Sequence, residues 1–179
     1  MKTKTILCLL LISSMLFSFK PKAGVIGTIF PELTGTTLTD KKVTIPKDTK
    51  GKSTLIALAF SSDAEEELKT WADPVYEKFI STEQLMGYDI NLYFIPIFSG
   101  AKAALAESAR EKFKKENDPE LHPYVLIYRG EMDKYRTALG MDKKSTPYIF
   151  VLDKDGKVVY ATSGIYTEAK MDAIEDIID

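Results

Sequence analysis

The chain has 179 residues, of which 45% are hydrophobic and 28% charged. This is an ordinary globular composition, with enough length for one domain and a full core. The formal net charge is −2, and removal of residues 1–23 with their four lysines would leave 20 basic and 26 acidic residues, a net charge of −6. An acidic domain lacks the electrostatic footprint of a nucleic-acid-binding protein, so we expect no nucleic-acid partner.

Residues 1–23 have the organisation of a signal peptide. Two lysines in Met1–Lys4 precede the 15-residue apolar run Thr5–Phe19, which is too short to be interpreted first as a membrane span. We therefore predict cleavage between about Ser18 and Gly24, and an exported protein, periplasmic or secreted, with no stable membrane span after cleavage. The only cysteine, Cys8, lies inside this run. The predicted domain, residues 24–179, then has neither a thiol nor a disulfide.

Apolar runs bounded by turn residues predict the strands of one sheet. They are an N-terminal hairpin of Thr36–Thr39 and Val43–Ile45, then Thr54–Phe60, Asn91–Phe98 and Tyr124–Tyr128, and a second hairpin of Tyr148–Leu152 and Lys157–Thr162. Segments with helical spacing alternate with these strands. They are a helix after Ser62 that Pro74 is expected to kink near Asp73, then Ala101–Glu116, Met132–Leu139 and a final helix capped by Thr167. This order indicates a mixed central sheet covered by helices on both faces.

The segment Ser53–Trp71 joins a buried strand directly to a helix. Ser62 and Glu65 fit the S-x-x-E capping box, so we predict that Ser62 is the N-cap. A helix N-terminus of this kind would stabilise a reactive thiolate, but the junction reads Phe-Ser-Ser-Asp. A serine nucleophile needs an adjacent base, and the lone His122 lies far along the chain. Capping is therefore favoured, and no catalytic residue is predicted.

Five short motifs, in order, carry a resemblance over nearly all of Thr28–Asp179. They are Phe30-Pro31-Glu32-Leu33, Lys42-Val43-Thr44, Lys50–Leu55, Thr146-Pro147 and Leu152–Lys157. In this order they resemble the thioredoxin-like fold of the redoxin and peroxiredoxin type. Within it, Phe30-Pro31-x-Leu33, Phe60 and Trp71 are most similar to a cysteine-poor branch that includes the mitochondrial ATP-synthase assembly factor family.

The resemblance implies a binding groove and indicates which residues form it. In redoxins the proline that matches Pro147 is cis and faces the catalytic cysteines, so we expect a cis Pro147. Ser61, Ser62 and Asp63 stand where those cysteines would lie. Together with Thr146 and Pro147 they are the predicted groove for a protein or peptide partner. The implied function is a redox-inactive, assembly or chaperone-like role.

Two other functions stay open. One is a redoxin-type oxidoreductase that works with thiols supplied by a partner, and the other is a small-molecule or haem-binding module. No cofactor or metal is predicted, because His122 has no cysteine or second histidine to complete a zinc shell. Asp153-Lys154-Asp155-Gly156 resembles the start of a calcium loop, but its twelfth position is Gly164 rather than glutamate.

Overall fold

The computed structural model describes residues 24–81 and 88–178. Within these residues, seven strands form one sheet with the order β2-β1-β5-β4-β3-β6-β7. The strands are β1 (Leu33–Thr37), β2 (Lys42–Ile45), β3 (Thr54–Ala59), β4 (Asn91–Phe98), β5 (Leu126–Arg129), β6 (Tyr148–Leu152) and β7 (Val158–Ser163). The α-helices are α1 (Ser62–Lys69), α2 (Ala72–Val75), α3 (Ala106–Glu116), α4 (Asp133–Leu139) and α5 (Glu168–Ile178).

Strand β3 lies in the interior of the sheet, between β4 and β6, and its side chains are apolar on both faces. All six of its residues are buried. It pairs in parallel with β4, where Leu55 lies opposite Leu92, and antiparallel with β6, where Leu58 lies opposite Tyr148. A continuous apolar run is the pattern of a strand covered on both sides. Its prediction as a buried strand is confirmed.

The two faces of the sheet carry different helices. Ile56 and Leu58 pack with Tyr135 and Leu139 of α4 on one face. Leu55 and Ala57 face the other way and pack with α1, α5 and Trp71 in a second cluster. A third cluster joins α3 to β4 and β5 through Ala106, Phe98 and Ile127. The structure is thus thioredoxin-like, with a mixed sheet between helices and an N-terminal hairpin, as predicted.

The helix that follows β3 breaks earlier than predicted. Helix α1 ends at Lys69, and Thr70 and Trp71 separate it from α2. Pro74 lies in the first turn of α2, where its missing amide would have had no helical partner, so it does not cause a kink near Asp73. A π-helical turn, Tyr76–Ile80, follows α2. Short 3-10 helices at Lys47–Thr49, Gly100–Leu105 and Pro119–Tyr124 complete the connections.

Two expectations from the sequence concern a membrane span and export. Within residues 24–81 and 88–178, no helix is both long and apolar enough to cross a membrane. The predicted signal peptide, with Cys8, lies outside the described residues, so export and cleavage stay predictions.

Candidate functional site

The junction between β3 and α1 is organised by the hydroxyl group of Ser61. Ser61 has extended backbone, with φ −147° and ψ 166°. Its Oγ accepts a hydrogen bond from the Ala64 amide at 3.2 Å and donates one to the Lys144 carbonyl at 3.0 Å. The N-cap is therefore Ser61, and the prediction of Ser62 is wrong by one residue. The reason is that Ser61 is still extended, whereas Ser62 already lies in the first helical turn.

The same hydrogen bond joins the junction to the loop before β6. Because β3 and β6 are antiparallel, the C-terminal end of β3 and the N-terminal end of β6 lie side by side. Ser61 thus lies against the loop that contains Thr146 and Pro147. We call Ser61, Ser62, Asp63, Thr146 and Pro147 the junction surface. Ser62 and Asp63 are exposed, Thr146 is half-buried and Pro147 is buried.

The peptide bond before Pro147 is not cis, so that prediction is wrong. Among the described residues the single cis bond is Ile45–Pro46. The trans form is intrinsically favoured at an X-Pro bond by about 0.5–1 kcal/mol. In this chain the Pro147 carbonyl accepts a hydrogen bond from the Gly164 amide at 3.0 Å, which extends the pairing of β6 with β7 to Pro147 itself.

Two aromatic residues hold the loop against the junction. Phe60 and Tyr148 pack edge to face, with ring centroids 6.1 Å apart. The Tyr148 hydroxyl accepts a hydrogen bond from the Lys143 amide at 2.8 Å. Burial raises the pKa of Tyr148 above its ordinary value, so the hydroxyl stays neutral. Sequence analysis assigned Tyr148 to the sheet but did not predict this role.

Trp71 connects the break between α1 and α2 to the loop that follows β7. Its Nε1 donates to the Gly164 carbonyl at 2.9 Å. Lys170 reaches the carbonyls of Ser163 and Ile165 at 2.8 and 2.6 Å, and burial lowers the pKa of its ammonium group. The loop is thereby fixed with Ile165 53% exposed.

His122 has no described contact with the junction surface. It lies in the 3-10 helix Pro119–Tyr124, and its Nε2 is 3.2 Å from the Asn117 carbonyl. Within the described residues, no group of three or more His, Cys, Asp or Glu side chains is placed to hold a metal ion.

A large cavity lies elsewhere, and sequence analysis did not predict it. It is a groove of about 440 Å³ between α1–α2 on one side and α3 with the 3-10 helix Pro119–Tyr124 on the other. We call it the helix groove. Phe94 and Pro96 of β4 form part of its lining, with Phe113, Leu121 and Tyr124 from the second wall. The first wall contributes Leu68 and Ala72.

The polar groups of the helix groove are mostly acidic. Glu65, Asp73 and Asp118 line it together with Lys69 and Asn117. Burial raises the pKa of Glu65, while Lys102 and Lys69 act in the opposite direction. Lys69 forms an ion pair with Glu66 at 2.6 Å. Within the described residues the Glu65 carboxylate makes no hydrogen bond or ion pair, and the residue is half-buried.

One sequence pattern in β4 points to this groove. Leu92, Phe94, Pro96 and Phe98 alternate along β4 and therefore face the same side of the sheet. Leu92 and Phe98 join separate clusters, which leaves Phe94 and Pro96 between them. Finding the groove requires the distance between the two helical walls, and a sequence pattern does not contain that distance.

A comparison with protein families identifies the chain. A family model described as ATP10 protein matches residues 26–178. The chain belongs to the ATP10 protein family. This confirms the resemblance to the cysteine-poor assembly-factor branch. No curated protein matches the sequence.

Solved structures show the fold. The exposed lipoprotein thioredoxin Etrx1 from Streptococcus pneumoniae is 18% identical, with 83% of this chain and 98% of that chain covered at a TM-score of 0.56. BsSco, of the Sco family of cytochrome c oxidase assembly proteins, is 13% identical, with 84% and 92% covered at 0.56. A peroxiredoxin-like protein from Aquifex aeolicus is 13% identical, with 86% and 87% covered at 0.52. Identities this low establish the thioredoxin-like fold and nothing finer.

Proposed function

We propose that this member of the ATP10 protein family is an exported binding protein with an assembly or chaperone-like role and no thiol chemistry of its own. The observation that carries the proposal is the use of Ser61. At the junction where a thioredoxin-type enzyme would hold a thiolate, Ser61 caps α1 and links it to Lys144. These contacts give the hydroxyl a structural role that needs no base.

Membership of the family supports a role in assembly. BsSco, which has the same fold, is named as a member of a family of assembly proteins. The proposed partner is a protein or peptide at the junction surface, where Ser62 and Asp63 are exposed and the exposed Ile165 lies nearby.

Two matched charge reversals test this surface. Asp63→Lys changes the junction surface, whereas Asp155→Lys makes the same change in the turn at the opposite end of β6. Full-length tagged protein would capture partners from the exported fraction for mass spectrometry. We expect wild type and Asp155→Lys to retain one saturable protein partner and Asp63→Lys to lose it at least five-fold. Wild-type protein without any specific partner would contradict the proposal.

A second assay tests the absence of redox chemistry. Purified Cys8→Ser protein should neither reduce a disulfide substrate nor consume peroxide above the buffer rate, with dithiothreitol as the reductant. Saturable turnover under these conditions would favour the oxidoreductase alternative, in which a partner supplies the thiols.

Export is tested by N-terminal sequencing of the protein from each cellular fraction. We expect an N-terminus between about residues 18 and 24 in the periplasmic or secreted fraction. Protein that keeps Met1 and stays in the cytosol would contradict it.

A further inference from the structure

We infer that the helix groove binds an apolar segment of the partner polypeptide that carries a lysine or arginine, and that Glu65 pairs with this cation. The inference rests on the proposed function, because it takes a polypeptide as the partner. It adds a second contact region and a chemical class of ligand.

The lining of the groove is suited to apolar side chains. Phe94, Phe113 and Tyr124 are only half-buried, although each belongs to or packs against one of the core clusters. No described residue fills the space of about 440 Å³ between them. This volume lies in the range of roughly 300–1,000 Å³ that is common for ligand sites. A ligand that covers these rings would remove apolar surface from water.

The walls of the groove are joined in the unbound protein. The Tyr76 hydroxyl donates a hydrogen bond to the Glu120 carboxylate at 3.0 Å, across the two sides. Tyr76 is itself a lining residue. Glu120 lies in sequence between Asp118 and Leu121, which also line the groove. A groove that already exists before binding costs less ordering when it accepts a ligand.

The acidic residues of the lining favour an apolar ligand that also carries a positive charge. Three carboxylates, Glu65, Asp73 and Asp118, line the groove. The lysine of the lining, Lys69, is already paired with Glu66, and Lys102 acts on Glu65 without forming an ion pair. Burial has removed part of the water around Glu65 without supplying a direct partner. A ligand ammonium or guanidinium group would supply that partner, whereas a ligand carboxylate would be repelled.

The test uses a library of decapeptides on a polyethylene glycol tether, each with one lysine among alanine, valine, leucine and phenylalanine. A matched library replaces the lysine with norleucine, which keeps the apolar stem and removes the charge. Full-length protein would be titrated with each pool, and binding would be measured by fluorescence anisotropy. We expect the lysine pool to bind at least ten-fold more tightly than the norleucine pool.

Two pairs of variants locate the binding. Glu65→Gln removes the charge of Glu65 in the groove, and Glu77→Gln removes an exposed charge outside the lining. Ala72→Phe fills the groove, and Ala104→Phe adds the same ring at an exposed position outside its lining. Glu65→Gln should weaken binding of the lysine pool about ten-fold. Ala72→Phe should abolish binding of both pools, and the two control variants should bind as wild type does.

The outcomes separate this inference from the proposed function. If peptide binding ignores Glu65→Gln and Ala72→Phe, or if neither pool binds, the groove inference is overturned even when a protein partner is still captured through the junction surface. Preferential binding of the neutral dye Nile red, with no competition by the peptides, would assign the groove to a small apolar molecule and also overturn it. Failure of the proposed function is a separate result, namely wild-type protein that captures no partner. Circular dichroism of each variant establishes that it is folded.

Discussion

Ser61 is the residue on which the geometry of the junction depends most directly. Its single hydroxyl accepts from the first turn of α1 and donates to the loop before β6. A hydroxyl can do both at once, because it has one proton and two lone pairs. Neither alanine nor aspartate can replace both contacts, since alanine has no polar group and aspartate has no proton to donate.

We expect Ser61→Ala to lower the free energy of unfolding by about 1–2 kcal/mol, through loss of the cap and of the link to Lys144. Ser62→Ala should change it by no more than about 0.5 kcal/mol, because Ser62 is exposed and does not cap α1. Urea denaturation of both variants measures the difference. A larger loss in Ser62→Ala than in Ser61→Ala would restore Ser62 as the cap.

Glu65 makes stability depend on pH in a definite direction. Its folded-state pKa is raised by burial, so the folded protein binds this proton more tightly than the unfolded chain, whose glutamate pKa is about 4.3. The favourable contribution is therefore present at low pH and lost as pH rises through the folded pKa.

We expect Glu65→Gln to be more stable than wild type at pH 7 and equally stable at about pH 3, where Glu65 is protonated in both states. Glu66→Gln should instead lose a few tenths of a kcal/mol at pH 7, because it breaks an exposed ion pair with Lys69. Chemical denaturation across this pH range gives the two profiles. A stabilising effect that persists unchanged at pH 3 would show that burial of the charge is not its cause.

At the scale of elements, the turn between β6 and β7 lies against another part of the chain. Gly156 has φ +85°, and a Cβ atom there would lie 2.8 Å from Pro46 Cγ and closer still to its Cβ. The Gly156 carbonyl also accepts a hydrogen bond from the Phe30 amide at 2.9 Å. The turn therefore ties β6–β7 to the start of the domain and to the end of β2.

We expect Gly156→Ala to cost about 3 kcal/mol, from a left-handed backbone that disfavours a side chain and from the collision with Pro46. Gly51→Ala is the matched control, because Gly51 has φ +92° but open space around the new methyl group. It should cost only about 1–2 kcal/mol. Thermal and urea unfolding compare them, and equal costs would mean that the turn moves away from Pro46 without penalty.

Elements with a simple local cause were predictable from sequence. Strands β4 and β6 have the predicted bounds, because each is an apolar run that ends at turn residues. Strand β1 begins three residues earlier than predicted, since Gly35 lacks a side chain and hides the alternation. A methyl group at Gly35 would lie 2.7 Å from the Ile127 carbonyl, so its absence permits the close approach of β5, which is a tertiary requirement.

The candidate sites were predictable only in part. The meeting of the β3–α1 junction with the loop before β6 follows from the pairing of β3 with β6, and in the structure Ser61 contacts Lys144 of that loop. The hydrogen bond from Ser61 to the Lys144 carbonyl joins residues that are distant in sequence, so no local pattern contains it. The helix groove depends on the spacing of two helices, and no local pattern records it.

At the scale of the whole molecule, the apolar interior on one face of the sheet is divided. The cluster under α1 and α5 is separate from the cluster under α3, and the helix groove lies between them. Helix α3 buries only Ala106 and Arg110, and Arg110 pairs with the exposed Asp40 of the β1–β2 turn. The second wall of the groove is thus attached more weakly than the first.

This division has a consequence for motion. We expect the amides of α3 to exchange with deuterium through a local opening, at a lower free energy than the amides of β3 and β6, which should require global unfolding. Higher salt should lower the protection of α3 further, by screening the ion pair with Asp40. Hydrogen exchange followed by mass spectrometry measures both, and equal protection of α3 and β3 would contradict the expectation. The expected result means that the α3 wall of the groove opens locally while the sheet stays folded. A bound peptide would then be detected as slower exchange in α3.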